Sequence, residues 1–186
     1  MKCRHCHHPV EQSFIDLGTA PPSNAYLTAE QLRSPEPYFP LRVSVCTHCW
    51  LVQTEDFAQA EDLFDSEYAY FSSFSQTWLD HAQRYATAMT KRFELESSSL
   101  VVEVAANDGY LLQYFQALNI PCLGIEPTAS TAAAARVKGL EIVEAFFGVS
   151  QAHQLVARGK QADLMAANNV LALVPDIYDF LAVFAI

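Results

Sequence analysis

The sequence predicts an α/β protein in which a small β-rich region with paired cysteines precedes a parallel sheet flanked by helices. Two Cys-x-x-Cys pairs lie near the N-terminus, and short apolar runs alternate with helical patterns from residue 100 onward. A polar turn, Asn107-Asp108-Gly109, joins the first of those runs to the first of those helices. Such alternation is typical of parallel sheets. We expect a β-rich region at residues 1–60, a helical connector at 61–98 and an α/β region at 99–186.

The N-terminal region carries the cysteine pairs Cys3 with Cys6 and Cys46 with Cys49, separated by 39 residues. Two such pairs are a strong signature of a metal site. Four thiolates complete a tetrahedral shell around Zn²⁺ and leave no open position, which indicates a structural site. We therefore predict one structural zinc, with a small β-rich insert between the two pairs.

Two alternatives to a four-cysteine site remain open. A histidine could replace one cysteine, because several lie beside the pairs: His5, His7, His8 and His48. The cysteines could instead form disulfides, but Met1-Lys2-Cys3 leads into polar residues rather than an apolar targeting segment. This start indicates a cytoplasmic chain, in which thiols stay reduced. The remaining cysteine, Cys122, begins an apolar run and is expected in the core.

The connector region predicts a helix that packs on the sheet through one face. Large or small apolar residues recur there at spacings of three and four, the period of a helical stripe. These residues are Trp78, Ala82, Tyr85, Met89 and Phe93. Upstream, residues 41–45 alternate apolar and polar side chains, which predicts a half-buried strand.

The most informative stretch runs from residue 100 to residue 127. An apolar run containing Glu103 leads into the polar turn, a helical segment follows, and a second apolar run ends on Glu126. An acid at the end of the second strand, roughly 20 residues beyond a tight strand-to-helix turn, accepts the ribose hydroxyls of a nucleoside. The turn and the helix N-terminus meet the polar part of the same ligand. The pattern predicts a nucleoside-cofactor site, and the alternative is an ordinary βαβ unit with a polar turn.

The residues of the turn separate two classes of cofactor. A dinucleotide pyrophosphate requires G-x-G-x-x-G, whereas here Ala105, Asn107 and Tyr110 stand at the corresponding positions and Gly109 is the glycine of the turn. A side-chain amide and a carboxylate suit a cofactor with an ammonium and a carboxylate, such as S-adenosylmethionine (SAM). Glu103 adds a second negative charge near that ammonium. We predict SAM rather than NAD.

Four motifs in sequence order resemble the sugar C-methyltransferases, and the resemblance covers essentially all of the chain. The motifs are Tyr68-x-Tyr70-Phe71-Ser72-Ser73, Glu103-x-x-x-Asn107-Asp108-Gly109-x-Leu111-Leu112, Leu123-Gly124-Ile125-Glu126-Pro127 and Asn168-Asn169-Val170-Leu171-Ala172-x-Val174-Pro175-Asp176. These enzymes are class I SAM-dependent methyltransferases of deoxysugar biosynthesis. The resemblance implies a Rossmann-like fold and a TDP-linked keto-deoxysugar as the substrate.

The resemblance also implies which residues line the cofactor. We expect these to be Glu103, Ala105, Ala106, Asn107, Gly109, Glu126, Pro127, Phe146, Phe147, Asn168 and Asn169. Phe146 and Phe147 follow a predicted third strand, where such enzymes place a wall beside the adenine ring, and the alternative is a pair of core residues. The hydroxyls of residues 68–73 are expected to reach the cofactor carboxylate or the sugar.

Three departures from the family pattern bear on activity. Ala105 stands where the family usually has glycine, and Leu173 stands where it usually has histidine; leucine cannot transfer a proton, and a lost acid or base typically costs ~10²–10⁴ in rate. The residues up to Ile186 supply four strands of the family's sheet, whose order is three-two-one-four-five-seven-six. They do not include the family's Tyr-His-Glu-His motif.

We therefore expect the N-terminal portion of a C-methyltransferase about twice as long, with its catalytic machinery incomplete in these residues. The alternative is a non-catalytic SAM-binding or protein-interaction remnant that keeps the zinc site. The fourth strand would be an apolar edge, which favours self-association.

Composition excludes two classes of partner. The formal net charge is −10, from 21 acidic and 11 basic residues, whereas nucleic-acid binding depends on clustered Lys and Arg. The apolar runs fall short of the ~18–20 residues that span a bilayer. Neither nucleic acid nor a membrane is expected as a partner.

Overall fold

The computed structural model of the protein describes residues 1–57, 63–64 and 68–186. These residues form two compact units. The N-terminal unit comprises Met1–Ala69 and Pro175–Tyr178, and the parallel-sheet unit comprises Tyr70–Val174 and Asp179–Ile186. The predicted α/β class is confirmed, with an antiparallel sheet and a cysteine cluster in the first unit and a parallel sheet in the second. The boundary predicted between residues 60 and 61 lies outside the described residues.

The N-terminal unit is built on a three-stranded antiparallel sheet. Its strands, in spatial order, are β1 (Gln12–Ala20), β2 (Phe39–Val45) and β3 (Val52–Thr54). The alternating pattern at residues 41–45 thus falls within β2, as predicted. Two shifts of register interrupt the pairing of β1 with β2.

The core of this unit is small and consists largely of its cysteines. Among its described apolar residues, those that are buried are Cys3, Val10 and Cys46. Cys6, Cys49 and Leu51 pack against them. A region with so few buried apolar side chains gains little from hydrophobic burial, which is typical of small domains that depend on a metal.

The parallel-sheet unit contains four strands in the order third, second, first, fourth. They are β4 (Val101–Val104), β5 (Cys122–Ile125), β6 (Glu141–Val143) and β7 (Leu164–Ala166), arranged as β6-β5-β4-β7. All three pairings are parallel. This order matches the first four strands of the sheet that the family resemblance implies and is consistent with an incomplete Rossmann-like fold. Within the part of the chain that the structure describes, β7 pairs with β4 alone and forms one edge.

Helices follow or precede each of these strands. They are α1 (Gln76–Phe93), α2 (Leu112–Ala117), α3 (Ala129–Val137), α4 (Val149–Ala157) and α5 (Ile177–Ala182). None of the helices in the described ranges has the length and hydrophobicity that a membrane span requires.

Helix α1 largely matches the predicted apolar stripe. Ser75 caps its N-terminus, and Ala82 is buried in a core that Trp78 also contacts. The prediction was wrong for Phe93, whose side chain is 49% exposed. The helix ends there, Glu94 takes a left-handed conformation, and Leu95 is buried instead.

The two faces of the parallel sheet pack against different layers. Val101 belongs to the core cluster formed with α1 and α2, whereas Val102 belongs to the cluster that includes Leu155 of α4. Because side chains alternate along a strand, Glu103 shares the face of Val101 and points into the layer of α1 and α2. A carboxylate is therefore placed in an otherwise apolar core.

Gly109 allows the polar turn to lie close to α3. Its φ angle is +75°, and a Cβ at this position would overlap Leu140 Cδ1 and press against Ala135 Cβ. Any side chain would thus push the turn away from α3 and from Leu140, which precedes β6. The glycine of the turn is required by packing as well as by backbone conformation.

Candidate metal centre and cofactor site

The four predicted cysteine ligands lie together in the N-terminal unit. The Sγ atoms of Cys3, Cys6, Cys46 and Cys49 all lie within 4.8 Å of one another. Cys3 and Cys49 are 3.5 Å apart and Cys6 and Cys46 are 3.6 Å apart, Sγ to Sγ. A disulfide requires about 2.05 Å. Four thiolates at ~2.3 Å from a tetrahedral zinc are separated by about 3.8 Å, so the cluster fits a metal and not a disulfide.

The two cysteine pairs sit on turns of the same geometry. The amide of Cys3 donates to the carbonyl of His8, and the amide of Cys46 donates to the carbonyl of Leu51. The residue after each pair, His7 or Trp50, has a left-handed φ and donates its amide to the carbonyl of the first cysteine. The backbone therefore fixes both thiols of each pair on one side of the turn.

Gln53 of β3 supports the cluster from outside. Its Nε2 donates to Cys3 Sγ at 3.3 Å, and its Oε1 accepts from the amide of Arg4 at 3.0 Å. Burial opposes ionisation of Cys3, but hydrogen bonds from the backbone at Cys6 and from Gln53 outweigh it and lower the pKa of the thiol to about 6. The hydrogen bond from Gln53 therefore favours the thiolate that a metal requires.

The predicted ribose ligand, Glu126, is fixed by backbone amides. The amide of Asn107 donates to its Oε2 at 2.8 Å, and the amide of Thr128 donates to its Oε1 at 2.9 Å. The side chain is buried. Each carboxylate oxygen has two lone-pair directions, so both oxygens retain an acceptor site after these bonds. Glu126 is held rigidly at the ends of β4 and β5, where ligands of open α/β sheets bind.

The side chain of Asn107 points to a different partner than expected. Its Oδ1 accepts from the amide of Ser72 at 2.8 Å, and its Nδ2 donates to the carbonyl of Tyr70 at 3.0 Å. The segment Tyr70–Phe74, here called the strap, is thereby tied to the polar turn. The side-chain amide of Asn107 thus forms hydrogen bonds with the strap, and its backbone N–H donates to Glu126.

Glu103 is fully buried, and neither of its carboxylate oxygens has a hydrogen bond of normal geometry to a described residue. Burial raises the pKa of this carboxyl well above its usual range, and the negative charges of Glu126 and Asp108 raise it further. Tyr110 and Asn168 lie beside it and oppose the shift. A buried group without a partner is expensive, and an arriving cation would provide one.

The carboxyl of Glu103 also affects its neighbours. Burial, together with the charge of Glu103, raises the pKa of the Cys122 thiol to about 12. Cys122 is therefore a protonated thiol packed against the core, as predicted.

Ala105 lies in the turn with φ at +55°, in the left-handed region. An L-residue with a Cβ is strained there by roughly 1–2 kcal/mol. Glycine would take this conformation without strain, which gives a backbone reason for the family's glycine.

The other predicted cofactor residues lie at several depths. Ala106 and Gly109 are buried in the turn, and Pro127 follows Glu126 directly. Asn168 and Asn169 are exposed beyond β7, where Asn168 Nδ2 donates to the Tyr110 hydroxyl at 3.1 Å.

The two phenylalanines after β6 separate. Phe146 is 44% exposed, whereas Phe147 packs against the core cluster that includes Val102 and Leu155. Of these two side chains, it is Phe146 whose ring is exposed.

Sequence reasoning missed three residues that the structure places at these sites. They are Gln53 beside the cysteines, Tyr110 beside Glu103, and Lys138 beside the polar turn. Lys138 is 65 residues from its partner Ser73 along the chain, so no local pattern could have indicated it.

We expect Ala105→Gly to raise the free energy of unfolding of the parallel-sheet unit by about 0.5–1 kcal/mol, because it relieves a left-handed alanine. Denaturant unfolding monitored by circular dichroism measures this. Ala106→Gly is the matched control: Ala106 is buried and has no positive φ, so its substitution should destabilise. A loss of stability for Ala105→Gly would contradict the assignment.

We expect Glu103→Gln to stabilise the ligand-free protein at pH 7 by about 1–3 kcal/mol, since it removes a carboxyl group whose ionised form is desolvated by burial. The folded-state pKa lies above the unfolded value of 4.5. The contribution of Glu103 to the free energy of unfolding is thus fully present below pH 4.5 and is lost as the pH rises through the pKa of Glu103 in the folded state. Thermal unfolding between pH 4 and pH 8 should show this decline in the natural protein and not in the variant.

Glu126→Gln provides the contrast. The side-chain –NH₂ of the new glutamine cannot accept a hydrogen bond. One of the two backbone N–H groups that now donate to Glu126 would therefore lose its acceptor, and the protein should be destabilised. If both glutamine variants shifted stability in the same direction, the difference in roles between the two acids would be wrong.

Comparisons with known proteins bear on the N-terminal region and on the family resemblance. Residues 3–64 match the family model described as "Putative zinc binding domain". The chain is also 28% identical over 180 residues to C-methyltransferase NovU of Streptomyces niveus. The matched region covers 97% of this chain and 43% of that protein. The chain thus spans less than half the length of this relative. Together these findings confirm the resemblance to the N-terminal portion of a C-methyltransferase with a zinc-binding domain.

Proposed function

We propose that this chain forms the zinc-bearing and SAM-binding part of a C-methyltransferase that acts on a nucleotide-activated keto-deoxysugar. The observation that carries the proposal is Glu126, fixed by two backbone amides at the carboxyl ends of β4 and β5. The similarity to a C-methyltransferase along nearly the whole chain supports it. The acidic side chains around the turn support SAM as the cofactor.

The charges around the turn favour SAM over a dinucleotide. Glu103, Asp108 and Glu126 are three buried acids near one another. SAM carries a sulfonium and an ammonium, whereas a pyrophosphate is an anion that these acids would repel. Ala105 and Asn107 also bring side chains to positions where a dinucleotide fingerprint has glycine.

The proposal gives a role to every predicted cofactor residue except Phe147, whose ring packs against the core. Glu126 would accept from the ribose hydroxyls, and Glu103 would compensate the ammonium from below the turn. The turn backbone at residues 105–109 would border the methionyl part, Pro127 and the exposed Phe146 would border the adenine, and Asn168 and Asn169 would lie toward the reacting methyl group.

The proposed chemistry requires more than these residues supply. SAM, when bound, provides an electrophilic methyl group. A base must remove a proton from the carbon beside the ketone, and the released electron pair forms the new C–C bond as the S–CH₃ bond breaks. Leu173, 58% exposed, cannot act as that base. The residues present here contribute positioning, which for well-aligned reactants can lower the barrier by ~7–11 kcal/mol.

The cysteine cluster fits a closed structural zinc site, so we expect one zinc per chain by metal analysis of protein purified without chelator. Structural zinc contributes ~10–16 kcal/mol in small peptides, far more than the small core of the N-terminal unit can. Cys46→Ser should abolish the bound zinc and unfold this unit. Cys122→Ser, outside the cluster, should retain it. Metal-free protein with an intact N-terminal unit would refute the site.

We expect SAM to bind and Glu126→Ala to weaken its binding by about 1.5–3 kcal/mol, the range for hydrogen bonds to a charged group. Isothermal titration calorimetry measures both, with circular dichroism to confirm folding. Glu141→Ala removes an exposed acid of β6 that pairs with Lys160, and it should leave the affinity unchanged. Tighter binding of NAD than of SAM by the natural protein would overturn the cofactor assignment.

A further inference from the structure

The strap, residues 70–74, includes the 3-10 helix Ser72–Phe74, which packs against α1 and leads into it. Side chains tie the strap to the polar turn: two of its hydrogen bonds go to the side-chain amide of Asn107. A third joins the backbone amide of Ser73 to Asp108 Oδ2 at 3.3 Å. The strap therefore lies against the turn that we propose binds SAM and is tied to it by polar bonds.

Lys138 supplies the remaining connection and reaches both elements at once. Its Nζ donates to the carbonyl of Asp108 at 2.6 Å and to Ser73 Oγ at 2.8 Å, and it lies 3.4 Å from Asp108 Oδ2. Hydrogen bonds that involve a charged donor are among the strongest in proteins. The ammonium group thus joins the strap to the turn.

The backbone around Lys138 fixes where its side chain starts. Lys138 directly follows the last residue of α3, and its amide donates to the carbonyl of Ala135. Gly139, with a φ of +82°, receives a hydrogen bond on its carbonyl from Gln116. These hydrogen bonds hold the backbone from which the Lys138 side chain reaches the turn.

The electrostatics of Lys138 and its geometry predict opposite effects on a cationic ligand. Asp108 Oδ1 is buried without a hydrogen-bond partner among the described residues. Among the described residues, Lys138 is the cation that forms an ion pair with Asp108. Removing its charge would make the turn more negative and attract SAM, whereas removing its hydrogen bonds would release the strap. The sign of the change in affinity tells the two effects apart.

We infer that Lys138 is a positioning residue that fastens the strap to the polar turn, so that the strap is already in place when SAM binds. This inference rests on the proposed function for its ligand, but the fastening itself does not. The hydrogen bonds of Lys138 then outweigh its charge, because losing them disorders a segment that lies against the turn proposed to bind SAM. Lys138 would not touch the reacting atoms.

The test is Lys138→Met, which keeps the length of the side chain and removes all of its donors. We expect the amides of Ser72 and Ser73 to exchange hydrogen for deuterium at least about tenfold faster, relative to the amides of β4. We expect SAM to bind about tenfold more weakly by calorimetry. Lys138→Arg, which keeps the charge and the donors, should restore a large part of both.

Two controls separate fastening from a general loss of stability. Lys160→Met removes a lysine of the same unit that pairs with Glu141, and it should change neither quantity. Ser73→Ala removes the hydroxyl acceptor without altering the charge. It should speed the same exchange, and it provides the measurement if Lys138→Met does not fold.

Unchanged exchange at Ser72 and Ser73 in both Lys138→Met and Ser73→Ala would overturn the inference. So would equal or tighter binding of SAM by Lys138→Met, since the charge effect would then dominate. If the natural protein failed to bind SAM, the proposed function would fall. The exchange comparison would still decide whether Lys138 fastens the strap.

Discussion

The candidate cofactor site of the parallel-sheet unit depends on the carboxylate of Glu126 and the two backbone amides from which it accepts hydrogen bonds. One amide is that of Asn107, in the turn after β4, and the other is that of Thr128, the N-cap residue of α3. A single side chain thereby holds the ends of neighbouring strands in register, and the position of Asn107 follows from it. Because Asn107 in turn holds Tyr70 and Ser72, the strap depends on the same carboxylate. A hydrogen-bonded acid is thus both a candidate ligand for ribose and the structural centre of the site.

This arrangement concentrates negative charge where the core would otherwise be apolar. Glu103 lies on the face of β4 that packs on α1 and α2, beside Tyr110. Folding alone gains nothing from a carboxylate there, since it is desolvated without a partner. Such a group is typical of functional sites, where ligand binding supplies the missing charge. The strained turn at Ala105 belongs to the same pattern, since strain is commonly stored where a ligand binds.

The sequence predicted features set by neighbouring residues and missed contacts between residues far apart along the chain. The cysteine cluster and the placement of Glu126 after the second strand follow from spacing, because Cys-x-x-Cys turns and strand–turn–helix units are set by neighbouring residues. The strand order was implied by the resemblance to the class I methyltransferases. The left-handed Ala105 could not be predicted, since hydrophobic period carries no information about a single φ angle. Lys138 and Gln53 reach partners 65 and 50 residues away, so only the folded chain brings them together. Phe93 failed for a different reason: the helix ends at that residue, and Leu95 takes the buried position.

The two units draw their stability from different sources. In the parallel-sheet unit, Leu111, Leu112, Phe115, Leu123 and Ile125 are fully buried, and each contributes about 1.5–3 kcal/mol. This large core can tolerate an unpaired acid and a strained turn. In the N-terminal unit the cysteines themselves are the core, and apolar side chains such as Phe14 and Trp50 remain exposed. A metal bound by four thiolates is the interaction of sufficient size to hold such a unit together. Loss of the metal should therefore act on one unit, and loss of the acid network on the other.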